Sequence, residues 1–153
     1  MIDVPRVDLR APQPADVRAL ALAEVECFED PWPEPFFVSE LYAPARFHRV
    51  LVDPGGELVA YLFTAWQYLD LHILKVATRR RFRRTGLGRR LMELAEEHAR
   101  EMEGETLTLE VRKTNIAAIG MYEALGYEHA GVRPGYYADL SDALVMTKTL
   151  GER

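Results

Sequence analysis

One cysteine, Cys27, is all that 153 residues contain, which excludes an internal disulfide and any cysteine-based metal cluster. A reducing cytoplasm is the compartment that suits such a chain. Histidine is sparse too, with four residues at 48, 72, 98 and 129 that lack the spacing of a metal site. Histidines scattered in this way are more often structural than catalytic, so no metal is implied. No stretch of 18 consecutive apolar residues occurs, and no membrane span is expected. The opening "MIDVPRVDLRAP" holds no apolar run able to act as a signal peptide. Positive charge is in deficit: 19 Lys plus Arg face 24 Asp plus Glu, for a net charge of −5. Repeats, low-complexity tracts and linkers are absent.

The chain has the composition of a soluble globular protein, 48% hydrophobic and 28% charged. Its length suits one domain spanning residues 1–153 with a substantial core. Against the acidic background, seven arginines (79, 80, 81, 83, 84, 89 and 90) cluster around two glycines with no acidic residue among them. Such a block is ordinarily a solvated face. What surrounds it decides whether it is more.

Residues 7–10 read as a short first strand, and Asp16 as the N-cap of a helix carrying Val17, Leu20, Leu22, Val25 and Phe28. "DPWPEP" interrupts, and "FFVSELY" forms a second short helix. "HRVLVD" and "LVAYLFTAWQ" are strands joined through "PGGE" into a hairpin, followed by the strand "LDLHILKVAT". Leu87, Leu91, Leu94, Ala95 and His98 then recur at helical spacing, with Glu93, Glu96 and Glu97 toward water. "TLTLEV" is a strand and "NIAAIGMYEAL" a helix closed by Gly126. "YEHAGVRPGYY" and "DALVMTKTL" complete the sheet. The order predicts an α/β fold with a mixed sheet.

The arginine–glycine segment thus lies between a strand and a helix N-terminus, where unpaired amides and the positive end of the helix dipole attract anions. Gly86 and Gly88 clear side chains from the backbone, and Arg83 and Arg84 add charged donors. These are the parts of a pyrophosphate cradle. The segment is neither a Walker loop nor a Rossmann fingerprint. "RRTGLG" at 83–88, after "HILKVAT", resembles the coenzyme-binding motif Q/R-x-x-G-x-G/A of the GNAT N-acetyltransferases. The resemblance implies a single GNAT-like domain with a mostly antiparallel central sheet flanked by helices. It implies that the backbone amides of Arg84, Thr85, Gly86, Leu87 and Gly88, with Arg83 as a charged donor, hold the pyrophosphate of acetyl-coenzyme A, and that Val76, Ala77 and Thr78 bind its pantetheine arm. Arg79 to Arg81 are expected to stand in solvent, with the coenzyme's 3′-phosphate as the alternative contact.

"LEVRKTNIAAIGMYEALGYE" at 109–128 is similar to a segment of one branch, the bacterial ribosomal-protein alanine N-acetyltransferases. "PWPEPFF" at 31–37 and "RPGYY" at 133–137 match that branch as well. On strand alternation alone, Glu110 shares a face with Thr106 and Thr108, opposite Leu107, Leu109 and Val111, and is ordinarily a solvent-facing carboxylate. Acyl transfer to an amine nevertheless needs a proton acceptor, and such a carboxylate can be one. Asn115 reads as an N-cap. The resemblance adds a coenzyme contact from Asn115. Tyr122 shares a helix face with Ala118, Ile119 and Leu125 and is ordinarily a core tyrosine; a phenol of pKa ~10 can also protonate a thiolate of pKa about 8.5. The resemblance places it near the coenzyme sulfur; Trp32, Tyr136 and Tyr137 are the candidates for contacting the acceptor, with surface packing the ordinary role of the paired tyrosines. No nucleophile motif is visible, so direct attack by the amine is expected.

The acceptor implied is a protein N-terminal α-amine, an N-terminal alanine of a small-subunit ribosomal protein, with no direct nucleic-acid or membrane partner. Two rivals remain: a small-molecule amine or lysine side chain as acceptor, since the glycine motif is common to all these enzymes, and an arginine-rich nucleic-acid-binding module. The pI of about 5.4 and the lack of aromatics interleaved with the arginines weigh against the last.

Overall fold

The computed structural model describes residues 6–151; the opening segment of the leader reading, Met1 to Pro5, lies outside the described residues. Seven strands form a sheet in the order β1-β2-β3-β4-β5-β7-β6. They are β1 (Asp8–Arg10), β2 (Arg49–Val52), β3 (Leu58–Gln67), β4 (Asp70–Thr78), β5 (Thr106–Arg112), β6 (Glu128–Arg133) and β7 (Ala143–Thr149). Helices α1 (Val17–Cys27), α2 (Glu34–Tyr42), α3 (Leu87–Glu101) and α4 (Ile116–Ala124) connect them. β1–β2, β2–β3, β5–β7 and β6–β7 pair antiparallel, and β4–β5 pair parallel. The expected mixed, mostly antiparallel α/β architecture is present.

The chain packs as two compact units. One runs to Thr64 and adds Lys75–Glu93; the other comprises Ala65–Leu74 and the chain from Leu94. In the first, β3 is buried on both faces from Leu58 to Thr64, as an apolar run without alternation requires. Phe37, Tyr61, Phe63 and Leu20 are fully shielded there, the rings meeting edge-on at 5.3 to 6.4 Å. In the second, β5 alternates: Leu107, Leu109 and Val111 are buried, while Thr106, Thr108 and Glu110 face the other way. Ala95 and Ala99 of α3 and Met146 of β7 are fully buried in the same unit.

Local details depart from the sequence reading where distant partners intervene. Asp16 precedes α1, but its carboxylate caps nothing on that helix. It holds Arg10 at 2.7 and 2.9 Å and accepts the Gln13 N–H at 2.7 Å, because a short 3-10 turn (Pro14–Asp16) puts it already in helical geometry. Leu22 and Val25, assigned to the packed face, are exposed, while Glu24 is buried. Asn115 does cap α4, accepting the Ala118 N–H at 3.2 Å, and Gly126 follows the helix at φ +96°. β6 stops at Arg133 rather than continuing through "RPGYY", because Pro134 offers no donor and Gly135 turns the chain at φ +61°.

Candidate active site

The end of β4, Lys75 to Thr78, leads into the arginine–glycine loop of the first unit. The ladder to β5 runs from Asp70↔Thr106 to Ile73↔Leu109, although β4 continues to Thr78. Beyond Ile73 the backbone therefore has an edge without a β5 partner, able to pair with an extended ligand. Val76 and Thr78 are half-buried and Ala77 is buried. The Thr78 carbonyl already accepts from Arg83 Nε at 3.0 Å and faces Cys27 Sγ at 3.6 Å.

The loop itself is held by its own contacts. Thr85 Oγ1 donates to the Phe82 carbonyl at 2.6 Å, and Arg84 and Gly86 adopt left-handed φ of +66° and +80°. Residues in such conformations turn successive N–H groups to one side, which makes an anion-binding concavity. The Gly86 carbonyl accepts from Arg90 N–H at 3.0 Å and so opens α3, whose first amides have no intrahelical partner. A Cβ on Gly86 would meet nothing within 4 Å, and one on Gly88 only Thr78 Oγ1 at 3.8 Å. The space over both glycines is open, as a bound diphosphate requires.

Arg79, Arg80 and Arg81 do not simply stand in solvent. Arg79 pairs with Glu57 at 3.0 Å and Glu26 at 3.4 Å, and Arg81 pairs with Glu57 at 2.5 Å. Arg80 donates its N–H to Glu26 at 3.0 Å and its guanidinium to the Glu26 carbonyl at 3.2 Å. Carboxylates from the end of α1 and from the β2–β3 turn thus neutralise the block and fix the start of the loop. Composition could not reveal this, since both acids are remote in sequence.

In the second unit, the parallel register sets His72 opposite Thr108, so its ring reaches Glu110 one pleat along the same face. His72 Nε2 lies 2.5 Å from Glu110 Oε2, and Arg133 Nε lies 3.2 Å from Oε1. The Glu110 side chain is 8% exposed, so the solvent-facing reading does not hold. Where the carboxylate is ionised it only accepts, so Nε2 is the donor in this contact. His72 was passed over as structural; its only signal was its place on the polar side of a strand that pairs beside "TLTLEV". Asp70 extends the polar row, accepting from Thr106 at 2.6 Å and Thr108 at 2.8 Å.

Tyr122 of α4 is buried at 7% exposure, and burial, aided by Tyr137, pushes its pKa up to about 12. Tyr136 is half exposed and its pKa is raised by burial and then by the charge of Glu110. Tyr136 and Tyr137 meet edge-on at 5.0 Å. Arg112 lies 4.1 Å over Tyr137 and binds Asp139 and Ser141, while Gly135 N–H donates to Asp142 at 3.0 Å. The β6–β7 loop is therefore a built structure. Trp32 belongs to the first unit, where it stacks on Phe36 at 5.8 Å.

The Acetyltransferase (GNAT) family profile matches residues 17–127. The chain belongs to that family. It is 32% identical to the N-alpha-acetyltransferase RimI of Mycobacterium tuberculosis, over 98% of this chain and 97% of that protein. It is likewise 32% identical to the ribosomal protein bS18-alanine N-acetyltransferase of Escherichia coli, over 76% of this chain and 79% of that one. The crystal structure of the E. coli ribosomal-protein alanine enzyme superposes with a TM-score of 0.87 at 28% identity, covering 97% of this acetyltransferase and 96% of the other chain. Among the described residues, no three His, Cys, Asp or Glu side chains converge as a metal site, and no helix is long and apolar enough to cross a membrane.

Proposed function

We propose that this acetyltransferase, working as one catalytic domain in the cytoplasm, acetylates the N-terminal α-amine of a protein, an N-terminal alanine of a small-subunit ribosomal protein being the preferred acceptor. The observation that carries the reading is the shielded Glu110–His72 pair, a carboxylate held in place to accept a proton. The names of the two relatives support the acceptor class.

Acetyl-coenzyme A supplies the thioester when bound. The amides of Arg84 to Gly88 with Arg83 hold its pyrophosphate, the free edge of Val76 to Thr78 its pantetheine arm, and Asn115 adds a contact beside its capping role. Glu110, oriented by His72 and Arg133, takes the proton from the attacking amine, directly or through water. The amine nitrogen forms the new amide bond as the carbon–sulfur bond breaks, and the Tyr122 hydroxyl gives its proton to the departing thiolate. A phenol held at about 12 remains protonated at neutral pH, as a donor must. Trp32 in the first unit, and Tyr136 and Tyr137 in the second, are the residues assigned to contact an extended N-terminus.

An α-amine has pKa near ~7.8 and a lysine near ~10.4, so presenting a neutral lysine near pH 7.5 costs about 3–4 kcal/mol more. A carboxylate base suits the easier proton. The test is mass spectrometry of the enzyme with acetyl-coenzyme A and matched peptides whose N-termini are free or blocked. Acetylation is expected only on free N-termini, with alanine first. Modification of internal lysines in both sets would establish a side-chain acetyltransferase instead.

A further inference from the structure

Glu24 is completely buried on a helix face where an apolar residue would serve packing better. Three donors converge on it. The Tyr61 hydroxyl binds Oε1 at 2.7 Å, while the Trp32 backbone N–H at 2.9 Å and Lys75 Nζ at 3.3 Å share Oε2. Lys75 is itself largely shielded, its ammonium 3.7 Å from the Phe28 ring centroid and 5.4 Å from that of Trp32. Burial lowers the Lys75 pKa, and Glu24 opposes that by favouring the charged form.

A buried ion pair is weak evidence for stability, because apolar side chains of the same volume usually serve as well. What this one does is local and directional. Phe28 and Trp32 lie in the connection between α1 and α2, outside both helices. Oε2 fixes the backbone at Trp32, and the ammonium sits against both rings. The same connection leads through Trp32 to the half-exposed Phe36. None of these atoms belongs to the glycine loop.

We propose that Glu24 and Lys75 are positioning residues that set the α1–α2 connection in its acceptor-binding conformation, and so determine acceptor affinity without acting on coenzyme affinity or on the chemical step. The inference rests on the reading that Trp32 faces the acceptor.

Steady-state kinetics with acetyl-coenzyme A and an N-terminal alanine peptide test it. Glu24→Gln weakens a charge-assisted hydrogen bond, and should raise the peptide KM by about tenfold or more. kcat and the KM for acetyl-coenzyme A should stay within about twofold, as a fixed, uninvolved loop implies. Lys75→Met should act in the same direction, and Lys75→Arg should restore much of the loss. Tyr61→Phe is the structural control: it frees Oε1 alone, so it should lower Tm and leave the peptide KM unchanged. Hydrogen exchange supplies a readout independent of activity. Residues 28–37 should exchange faster in Glu24→Gln and Lys75→Met, with α3 unaffected. A folded Glu24→Gln or Lys75→Met enzyme with unchanged peptide KM and unchanged exchange over 28–37 overturns the proposal; so does a rise in both KM values together. A wild-type enzyme that acetylates no N-terminal peptide defeats the reading of the reaction, and the exchange data then decide the positioning role alone.

Discussion

A carboxylate that shares a strand face with two threonines would ordinarily face water. Glu110 does not, because His72 and Arg133 each occupy one of its oxygens. Sequence alternation gave its face correctly, but whether that face is wet depends on which strand lies alongside. Parallel pairing of β4 with β5 brings together His72 and Glu110, 38 apart in the chain, and no local pattern announces it. Glu110→Gln is expected to lower kcat by ~10²-fold with little change in acetyl-coenzyme A affinity, the usual scale for a lost general base. Tyr122→Phe should cost kcat a similar ~10²-fold. Burial has raised the Tyr122 pKa, so its protonated form persists to higher pH than an ordinary phenol's. The kcat profile of the wild type should therefore show no fall between pH 8 and about 10 that the Tyr122→Phe variant lacks. Such a fall would show Tyr122 titrating as an ordinary phenol, whereas a Tyr122→Phe variant with wild-type kcat would remove Tyr122 as the proton donor.

Most elements were legible because their signals are local. β3 has the bounds that its apolar run suggested, and α4 begins at its asparagine and ends before its glycine. The face of α1 was not legible. Leu22 and Val25 are exposed and Glu24 is buried, since the partners that make a buried carboxylate tolerable come from β3, β4 and the following turn. The arginine block misled in the same way, its carboxylates lying at Glu26 and Glu57. In the loop that follows, the two glycines differ. Gly86 sits at φ +80°, where any L side chain is strained, so Gly86→Ala should lose about 1 kcal/mol or more of stability besides coenzyme affinity. Gly88 carries no such strain and has room around it. Gly88→Val is the cleaner probe: Tm should hold while the acetyl-coenzyme A KM rises about tenfold or more, as expected when a donor amide is screened. Calorimetric titration showing undiminished coenzyme affinity would dismiss the cradle.

Across the whole molecule, acid sensitivity follows from carboxylates whose pKa values are lowered by folding. Asp16 is lowered chiefly by its bond to Arg10, and Glu26 chiefly by the Arg80 N–H. For Glu96, burial acts against ionisation, but Lys148 and Arg100 outweigh it. Each group binds protons more readily unfolded than folded, so its contribution is complete above its ordinary value of 3.8 or 4.5 and disappears as pH falls through the lower folded value. Tm should accordingly be level from pH 7 to about 5 and drop steeply toward pH 3. Lys148→Met, which removes the 2.6 Å partner of Glu96, should lower Tm at pH 7 more than at pH 3. Equal losses at both would show that the pair contributes nothing through its charge.

The sheet ends in strands that are poor templates for another chain. β1 is only three residues long. β6 is exposed throughout, but its pairing with β7 skips from His129↔Met146 to Gly131↔Val145, leaving Ala130 without a ladder partner. A bulge of this kind kinks and twists the outer edge, so that a second copy cannot zip along it. Its consequence is colloidal rather than catalytic: the molecule can be concentrated without polymerising through its own sheet. Deleting Ala130 should straighten the strand and let copies join edge to edge, seen as concentration-dependent growth in light scattering while the parent chain stays unchanged.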